Sequence, residues 1–495
     1  MDSAGLASPV STHSESGASS DSEDSYVVGG TVTGLTGTGL VLEVNGSQSL
    51  TVGVNGTFSF PGALAGGSSY EVTVQSQPSV AREICSISNA SGTVGTSSVD
   101  NVGVACSTVL GFMYQLSEST NQIYSYGIDS KSGNVIPIGA PTQSGGQTPT
   151  SILASADGRY VYVTNQAGAA LPTQPTVSDF VGNIATFAVN ADTGQLSLEG
   201  TPVAAAPLTE RLATAGQFLF VFNAYMQWPP AGNFPAPALM EYVLDSSSGL
   251  PTLIGTPLTF ATEDQFFAMA VSPNQQFLYV LSGDPSANTP VWPTITVYAI
   301  DPSSGALTAG QSMTVHVGCN SIVIDPHGRF LYLETASNVN PTGPASATIL
   351  PYAIDPGTGS LNAVGSGTPV ATNGGPIVID PSGQYLYAVN TLNAAASQDT
   401  IQSLTIDQSS GVLSTSGSVI ETDGAVIAAG GLMFDPSGDF LYLVSMSEVN
   451  SEPTGNALTT FTVSAAAGSA GQLIPSGAPQ QLPSGFGGWS IAIVE

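Results

Sequence analysis

Short runs of alternating apolar and polar residues, separated by Gly, Asn, Asp, Pro and Ser, fill the chain from Tyr26 onward. Alternation of this kind is the period of a half-buried pleated strand, and no segment carries the 3.6-residue period of an amphipathic helix. Between Tyr26 and about Thr108 the runs VGGTVTGL, GLVLEVNG, SLTVGVNGTFSF, YEVTVQSQP, EICSIS and VDNVGVAC each predict a strand. Asn45-Gly46 and Asn55-Gly56 predict two-residue turns, because both central positions of such a turn take positive φ. The pattern predicts a small β-sandwich module over residues 26–108.

The rest of the chain repeats itself. One phrase, a small turn followed by an aromatic strand, recurs as ADGRYVYVTN, AGQFLFVFN, PNQQFLYVLS, PHGRFLYLET, PSGQYLYAVN and PSGDFLYLVS. A second phrase follows it, as in ITVYAIDPSSGAL and ILPYAIDPGTGSL, with marker positions Asp129, Asn190, Asp245, Asp301, Asp355, Asp407 and Ser464. A period of roughly 55 residues with four short strands per unit predicts a seven-bladed β-propeller over 109–495. The first repeat opens at GFMYQLS, already a second strand, so WSIAIVE (489–495) is expected to supply its missing innermost strand and to close the ring without free sheet edges.

Charge narrows the partners. Five Lys and Arg face 35 Asp and Glu, a formal charge of −30. Nucleic acids and anionic membrane surfaces both require clustered cations, so neither is expected as a partner. The longest apolar stretch, near Ala425–Phe434, is far short of the roughly 20 residues of a membrane span. Three cysteines occur. Cys85 and Cys106 flank two apparent strands and are expected to form a disulfide, the alternative being two buried free thiols; Cys319 stands alone. There is no C-x-x-C and no D-x-D-x-D-G loop, so neither a metal nor another cofactor is expected. Residues 1–25 are rich in Ser, Asp and Glu and read as a disordered tether of the kind that follows a cleaved signal or a lipid-anchored cysteine. On that reading the protein is extracytoplasmic, whether periplasmic, secreted or held at the cell surface. The alternative is a cytoplasmic protein with a disordered tail.

The phrases DPSGxFLYV and YxIDxxTGxL, at this period, resemble the lactonase-type propellers, which include bacterial sugar-phosphate lactonases and fungal muconate-lactonising enzymes. The first module resembles the immunoglobulin-like or transthyretin-like modules of bacterial surface proteins, which implies a spacer or adhesion role. The lactonase resemblance implies His and Arg just before first strands and Glu shortly after a second strand. The corresponding segments here are QTPTSI, PLTERL, EDQFFA, GCNSIV, NGGPIV and AGGLMF, and they hold no histidine and one arginine, Arg211. Four positions after Tyr332, where the resemblance places Glu, stands Ala336; Glu334 is two residues early.

Long links rich in Pro and aromatic residues (166–182, 224–238 and 282–294) fall on one propeller face, and such loops on a rigid scaffold carry binding. Trp228, Phe234 and Trp292 form either a stacking shelf for a sugar or apolar ligand or pins that hold the loops. Thr150, Glu210, Arg211, Glu263, Asp264, Asn320 and Asn373 are expected at the channel mouth, with Thr150 and Asn320 as ligand contacts. Arg211 with a carboxylate is either a site pair or a structural salt bridge. Glu334 and Glu210 are the candidate carboxylates for catalysis; Glu334 is suited either to general-acid work or to burial against a backbone N–H. His327 in its turn is expected to be exposed, and His316 to lie on a fourth strand. Two functions follow: a module binding a small molecule, glycan or protein at the loop-rich face without the full catalytic set, or a divergent hydrolase of sugar lactones or related cyclic esters.

Overall fold

Two turn chemistries organise the larger part of the chain. In the D-P-[SH]-G turns the carboxylates of Asp325, Asp380 and Asp435 accept the N–H groups of Phe330, Tyr385 and Phe440 at 2.7–2.8 Å, so each turn is tied to the start of the strand that follows. Ser155 and Ser272 do the same with their hydroxyls for Tyr160 and Phe277. In the D-x-x-[ST]-G turns, Asp245, Asp301 and Asp407 each accept two backbone N–H groups and two Ser hydroxyls. The closing glycine then adopts φ between 68° and 77° at all seven repeats, a region that penalises any side chain.

The computed structural model describes residues 24–79, 82–168, 181–206, 209–223, 227–228, 232–233, 236–260, 265–283, 293–315, 318–336, 347–370, 375–390, 400–421, 426–449, 452–467, 469–482 and 490–495. No helix occurs among them. The chain packs as two units, one of residues up to Gln77 plus Cys85–Cys106, the other of Pro78–Ile84 plus Ser107–Glu495.

The second unit is an all-β propeller. Among the described residues it has seven four-stranded sheets, in chain order from the innermost strand outward in sheets two to seven, the outermost broken in two in the first, fifth and seventh sheets. The innermost strands of sheets two to seven are Gln147–Ala154, Thr209–Ala215, Gln265–Val271, Gly318–Ile324, Ile377–Ile379 and Val426–Phe434. The first sheet takes its innermost strand from Ile491–Val494, which pairs antiparallel with Phe112–Gln115. The second strands are nearly all apolar, as a strand buried on both faces must be.

Neighbouring sheets are joined by one repeated device. The first aromatic of each second strand (Phe112, Tyr160, Phe218, Phe277, Phe330, Tyr385, Phe440) lies against the D-x-x-[ST]-G glycine of the next sheet. A Cβ on those glycines would sit 2.3–2.6 Å from the ring, so glycine is required by close approach as well as by φ. Two residues on, the hydroxyls of Tyr114, Tyr279, Tyr332, Tyr387 and Tyr442 donate to the carbonyl oxygens of Gly194, Gly359, Gly411, Gly471 and Gly133 at 2.8–3.0 Å. The Tyr442–Gly133 bond joins the seventh sheet to the first, where Tyr442 and Val444 pack with Met113, Tyr126 and Ile491. Burying a large side chain contributes about 1.5–3 kcal/mol, so these aromatic rows carry much of the ring's cohesion.

In the first unit two four-stranded groups of strands enclose a core of Val28, Leu42, Phe60, Val72 and Val102. Ser25–Thr33 pairs antiparallel with Gly56–Ala65 and parallel with the strand beginning at Val99. The run SLTVGVNGTFSF is two strands, Gln48–Val52 and Gly56–Ala65. Asn45 and Gly46 both take positive φ, as a two-residue turn requires. At Asn55-Gly56 only the glycine does, and the Asn55 amide instead holds the backbone N–H and C=O of Leu35 at 2.8 Å each. Cys85 and Cys106 are joined by a disulfide and are buried.

Candidate functional site

The innermost strands share an irregularity that the sequence does not announce. Five of them carry a β-bulge at the same place, near their loop-side start: between Pro149 and Ser151, Thr209 and Arg211, Phe266 and Ala268, Cys319 and Ser321, and Ala429 and Gly431. A bulge leaves one residue unpaired and re-aims it, and bulges concentrate beside functional sites. The bulged residues are Thr150, Glu210, Phe267, Asn320 and Gly430. In the sixth sheet Pro376, and in the first Ser490, take the position that follows the bulge, bonding through their carbonyls to Val389 and Leu116.

Arg211 occupies that following position in the third sheet and is exposed. No ion pair to it occurs among the described residues. The other three arginines are engaged elsewhere. Arg82, Arg159 and Arg329 lie over the rings of Phe112, Tyr160 and Phe330, 5.0–5.4 Å from the centroids. Arg159 also donates to the Ser246 carbonyl and Arg329 to Gln408, so both reach the next sheet's D-x-x-[ST]-G turn. Lys131 is exposed within such a turn. Arg211 is therefore the arginine placed on an innermost strand rather than at a sheet junction.

Thr150 uses its hydroxyl within the ring: it bonds the Thr209 carbonyl at 2.6 Å and the Thr164 hydroxyl at 2.9 Å. Thr209 in turn donates to the Asn165 carbonyl, and Asn165 to Ser144 and Asn183. This buried chain links the second and third sheets. Glu334 is fully buried and pairs across the sheet with Ser321. At its position the other sheets hold Leu116, Thr164, Phe222, Leu281, Val389 and Val444, so it is the one carboxylate in that ring. The backbones of Glu210 and Asn320 lie in their strands; their side chains are outside what is described. Trp228 lies in a two-residue strand paired with Gly232–Asn233, its side chain likewise outside the description. Phe234, Trp292, Glu263, Asp264, Asn373 and His316 lie outside the described residues, and the fourth strand read through His316 ends at Thr314.

Two features of the loop-side face carry no mark in the sequence. Glu118 follows Tyr114 by four positions, the spacing at which Ala336 follows Tyr332, and burial raises its carboxyl above the usual range. Thr148, at the start of the second sheet's innermost strand, is held at φ 49° while its N–H donates to the Asn121 side chain at 2.7 Å. Positive φ at a β-branched residue is strained. His327 lies on the opposite, turn-bearing face, half exposed and 3.5 Å from Asp325. No group of three His, Cys, Asp or Glu with metal-binding geometry occurs among the described residues. A cavity of about 260 Å³ lies between outer strands of the seventh and first sheets, lined by Asn134, Leu458, Thr460, Ser476 and Gln480, and includes none of the innermost-strand residues.

No family model matches the chain, and no curated protein sequence matches it. Solved structures do. A candidate 6-phosphogluconolactonase from Bacteroides uniformis superposes with a TM-score of 0.56 at 18% identity, covering 78% of this chain and 99% of its own. A second, from Bacteroides fragilis, gives 0.55 at 19% identity over 78% of this chain and 98% of its own. The periplasmic gluconolactonase of Pseudomonas aeruginosa gives 0.54 at 18% identity, covering 78% and 99%. At such identities the likeness is one of fold, and the fold is lactonase-like.

Proposed function

We propose that the protein is an extracytoplasmic lactonase-like propeller that binds a small molecule, glycan or protein at its loop-rich face and lacks the full catalytic set of a lactonase. One observation carries this reading. In the five bulged innermost strands, the bulge position and the one after it hold Thr150-Ser151, Glu210-Arg211, Phe267-Ala268, Asn320-Ser321 and Gly430-Gly431: one cation, one carboxylate and no histidine. Lactone opening needs donors aimed at the developing oxyanion and a base for water. Removing one such donor typically costs about 10²–10³ in rate, so a single arginine is a small part of a working set. Shared fold does not decide the matter, because function resides in the site. The Cys85–Cys106 disulfide supports an oxidising compartment, and the first unit serves as a spacer or adhesion module. With a charge of −30, nucleic acid is an unsuitable partner. No helix of the described residues is long and apolar enough to cross a membrane.

A second reading has its own observation. Glu118, on the same face and with its carboxyl pKa raised by burial, has the character of a general acid, as does buried Glu334 by position. On that reading the protein is a divergent lactonase or related hydrolase of cyclic esters.

Trp228 and Trp292 fall in the long links by sequence, so intrinsic fluorescence is the readout chosen for this face. Titration with glucono-1,5-lactone, gluconate and cello-oligosaccharides is expected to change the emission for at least one of them. Lactone hydrolysis is expected to stay near the spontaneous rate. Robust turnover abolished by Arg211→Ala or Glu118→Gln would establish the enzyme instead.

A further inference from the structure

We propose that the propeller ring opens first between its third and fourth sheets. Among the described residues, six of the seven junctions combine the aromatic-on-glycine contact with a hydroxyl bond from a second-strand tyrosine. Five use the second-strand tyrosine and the carbonyl of the next sheet's glycine. Between the second and third sheets, Tyr160 donates to the Ser247 carbonyl at 2.5 Å, Arg159 reaches Ser246, and Thr150 and Thr209 add two more bonds.

The third-to-fourth junction has Phe218 against Gly305, like the rest, but the next aromatic position is Phe220, which has no hydroxyl to give. Its core is Phe218, Phe220, Phe222 and Leu239 against Leu278, Val280, Tyr298 and Ile300. Toward its outer edge the Glu241 carboxylate faces the Leu307 N–H of the next sheet. Apolar burial is common to all seven junctions, so it does not distinguish them. The polar ties do, because they are directional bonds that break early as two faces part. The third sheet is also the one whose innermost strand carries Glu210 and Arg211.

The architecture supplies matched probes. The residue after the first aromatic of each second strand faces the preceding sheet and is inaccessible: Leu278 at the third-to-fourth seam, Leu331, Leu386 and Leu441 at the next three. In the full-length chain carrying Cys319→Ser, Leu278→Cys, Leu331→Cys, Leu386→Cys and Leu441→Cys are labelled separately with a chromogenic disulfide reagent under native conditions. Leu278→Cys is expected to react fastest. Adding Phe220→Tyr, which offers Gly305 the bond its counterparts have, is expected to slow that labelling about five-fold and leave the other three unchanged. Equal rates at the four probes, or a faster rate at any of the other three, would overturn the proposal, and this ranking does not depend on Phe220→Tyr folding. A folded Phe220→Tyr protein with unaltered Leu278→Cys labelling would overturn it as well.

Discussion

The glycines of the D-x-x-[ST]-G turns hold two separable energies, and a matched pair of substitutions measures each. Gly411 has φ 75°, and a Cβ there would lie 2.4 Å from Cδ1, 2.7 Å from Cε1 and 2.8 Å from Cγ of Phe330. Gly255, on an outermost strand, has φ 67° and nothing within 4 Å of the same point. Gly255→Ala therefore imposes only the left-handed backbone penalty, about 1–2 kcal/mol. Gly411→Ala adds overpacking against a ring that is itself 6% exposed and flanked by the next sheet, about 1–3 kcal/mol more. It also displaces the carbonyl that accepts the Tyr332 hydroxyl at 3.0 Å. The expected totals are about 1–2 kcal/mol for Gly255→Ala and about 2–5 kcal/mol for Gly411→Ala. Urea unfolding followed by tryptophan emission and far-ultraviolet circular dichroism reads both, provided m is unchanged. If the two substitutions cost the same, the ring–glycine contact contributes nothing and blade cohesion has another source.

Acid should destabilise the protein in a defined window. The exposed carboxyls of Asp245, Asp301, Asp355 and Asp407 sit below their usual value, Asp301 at about 2, chiefly because hydroxyls of Ser247, Ser303, Thr358 and Ser409 bond the charged form. A depressed folded-state pKa gives stability that is complete above about pH 4 and lost as pH falls toward 2, so unfolding midpoints should hold flat from pH 7 to 5 and then drop. A loss centred near pH 6 would implicate a histidine instead. At the alkaline end the sign reverses: burial raises Tyr114, Tyr162, Tyr279, Tyr332, Tyr387 and Tyr442, and Tyr242 to about 12, so stability is intact below pH 10 and falls as pH rises above it. Tyrosinate absorbance should then appear together with loss of sheet signal, and gradual ionisation of a folded protein would contradict this. Thiol titration of the denatured, unreduced chain should find one free thiol, that of Cys319; three would refute the disulfide.

The propeller was legible because its period is written in residues with strict physical jobs. A turn glycine at positive φ, an aromatic that lies on it and a tyrosine two positions on cannot be exchanged freely, so they recur at nearly every sheet. The bulges were not legible, since a bulge is a property of register between two strands and Thr150, Glu210 and Phe267 share no chemistry that marks it. The engagement of Thr150 with Thr209 and Thr164 was hidden for a related reason: the partners are 59 and 14 residues away and meet only when sheets pack. Glu118 was hidden because the strand it follows, GFMYQLS, lacks the leading small turn that marks the later repeats. The arginines read as scarce charge, whereas Arg82, Arg159 and Arg329 serve as flat plates over aromatic rings, a role set by three-dimensional placement.

The pairing of Ile491–Val494 with Phe112–Gln115 fixes the order of events during synthesis. The strand that completes the first sheet follows its partner by about 380 residues, which at 5–20 residues per second is a delay on the order of 20–75 s. Sheets two to six can form as they emerge, since each draws its four strands from one continuous stretch. The first sheet cannot, and Met113 and Tyr126, which end almost inaccessible, remain uncovered on their inner side until Ile491–Val494 has been made. Throughout that interval the nascent propeller is an open arc with an unsatisfied strand edge, the stage at which chaperone capture or pairing with a neighbouring nascent chain competes most directly with ring closure.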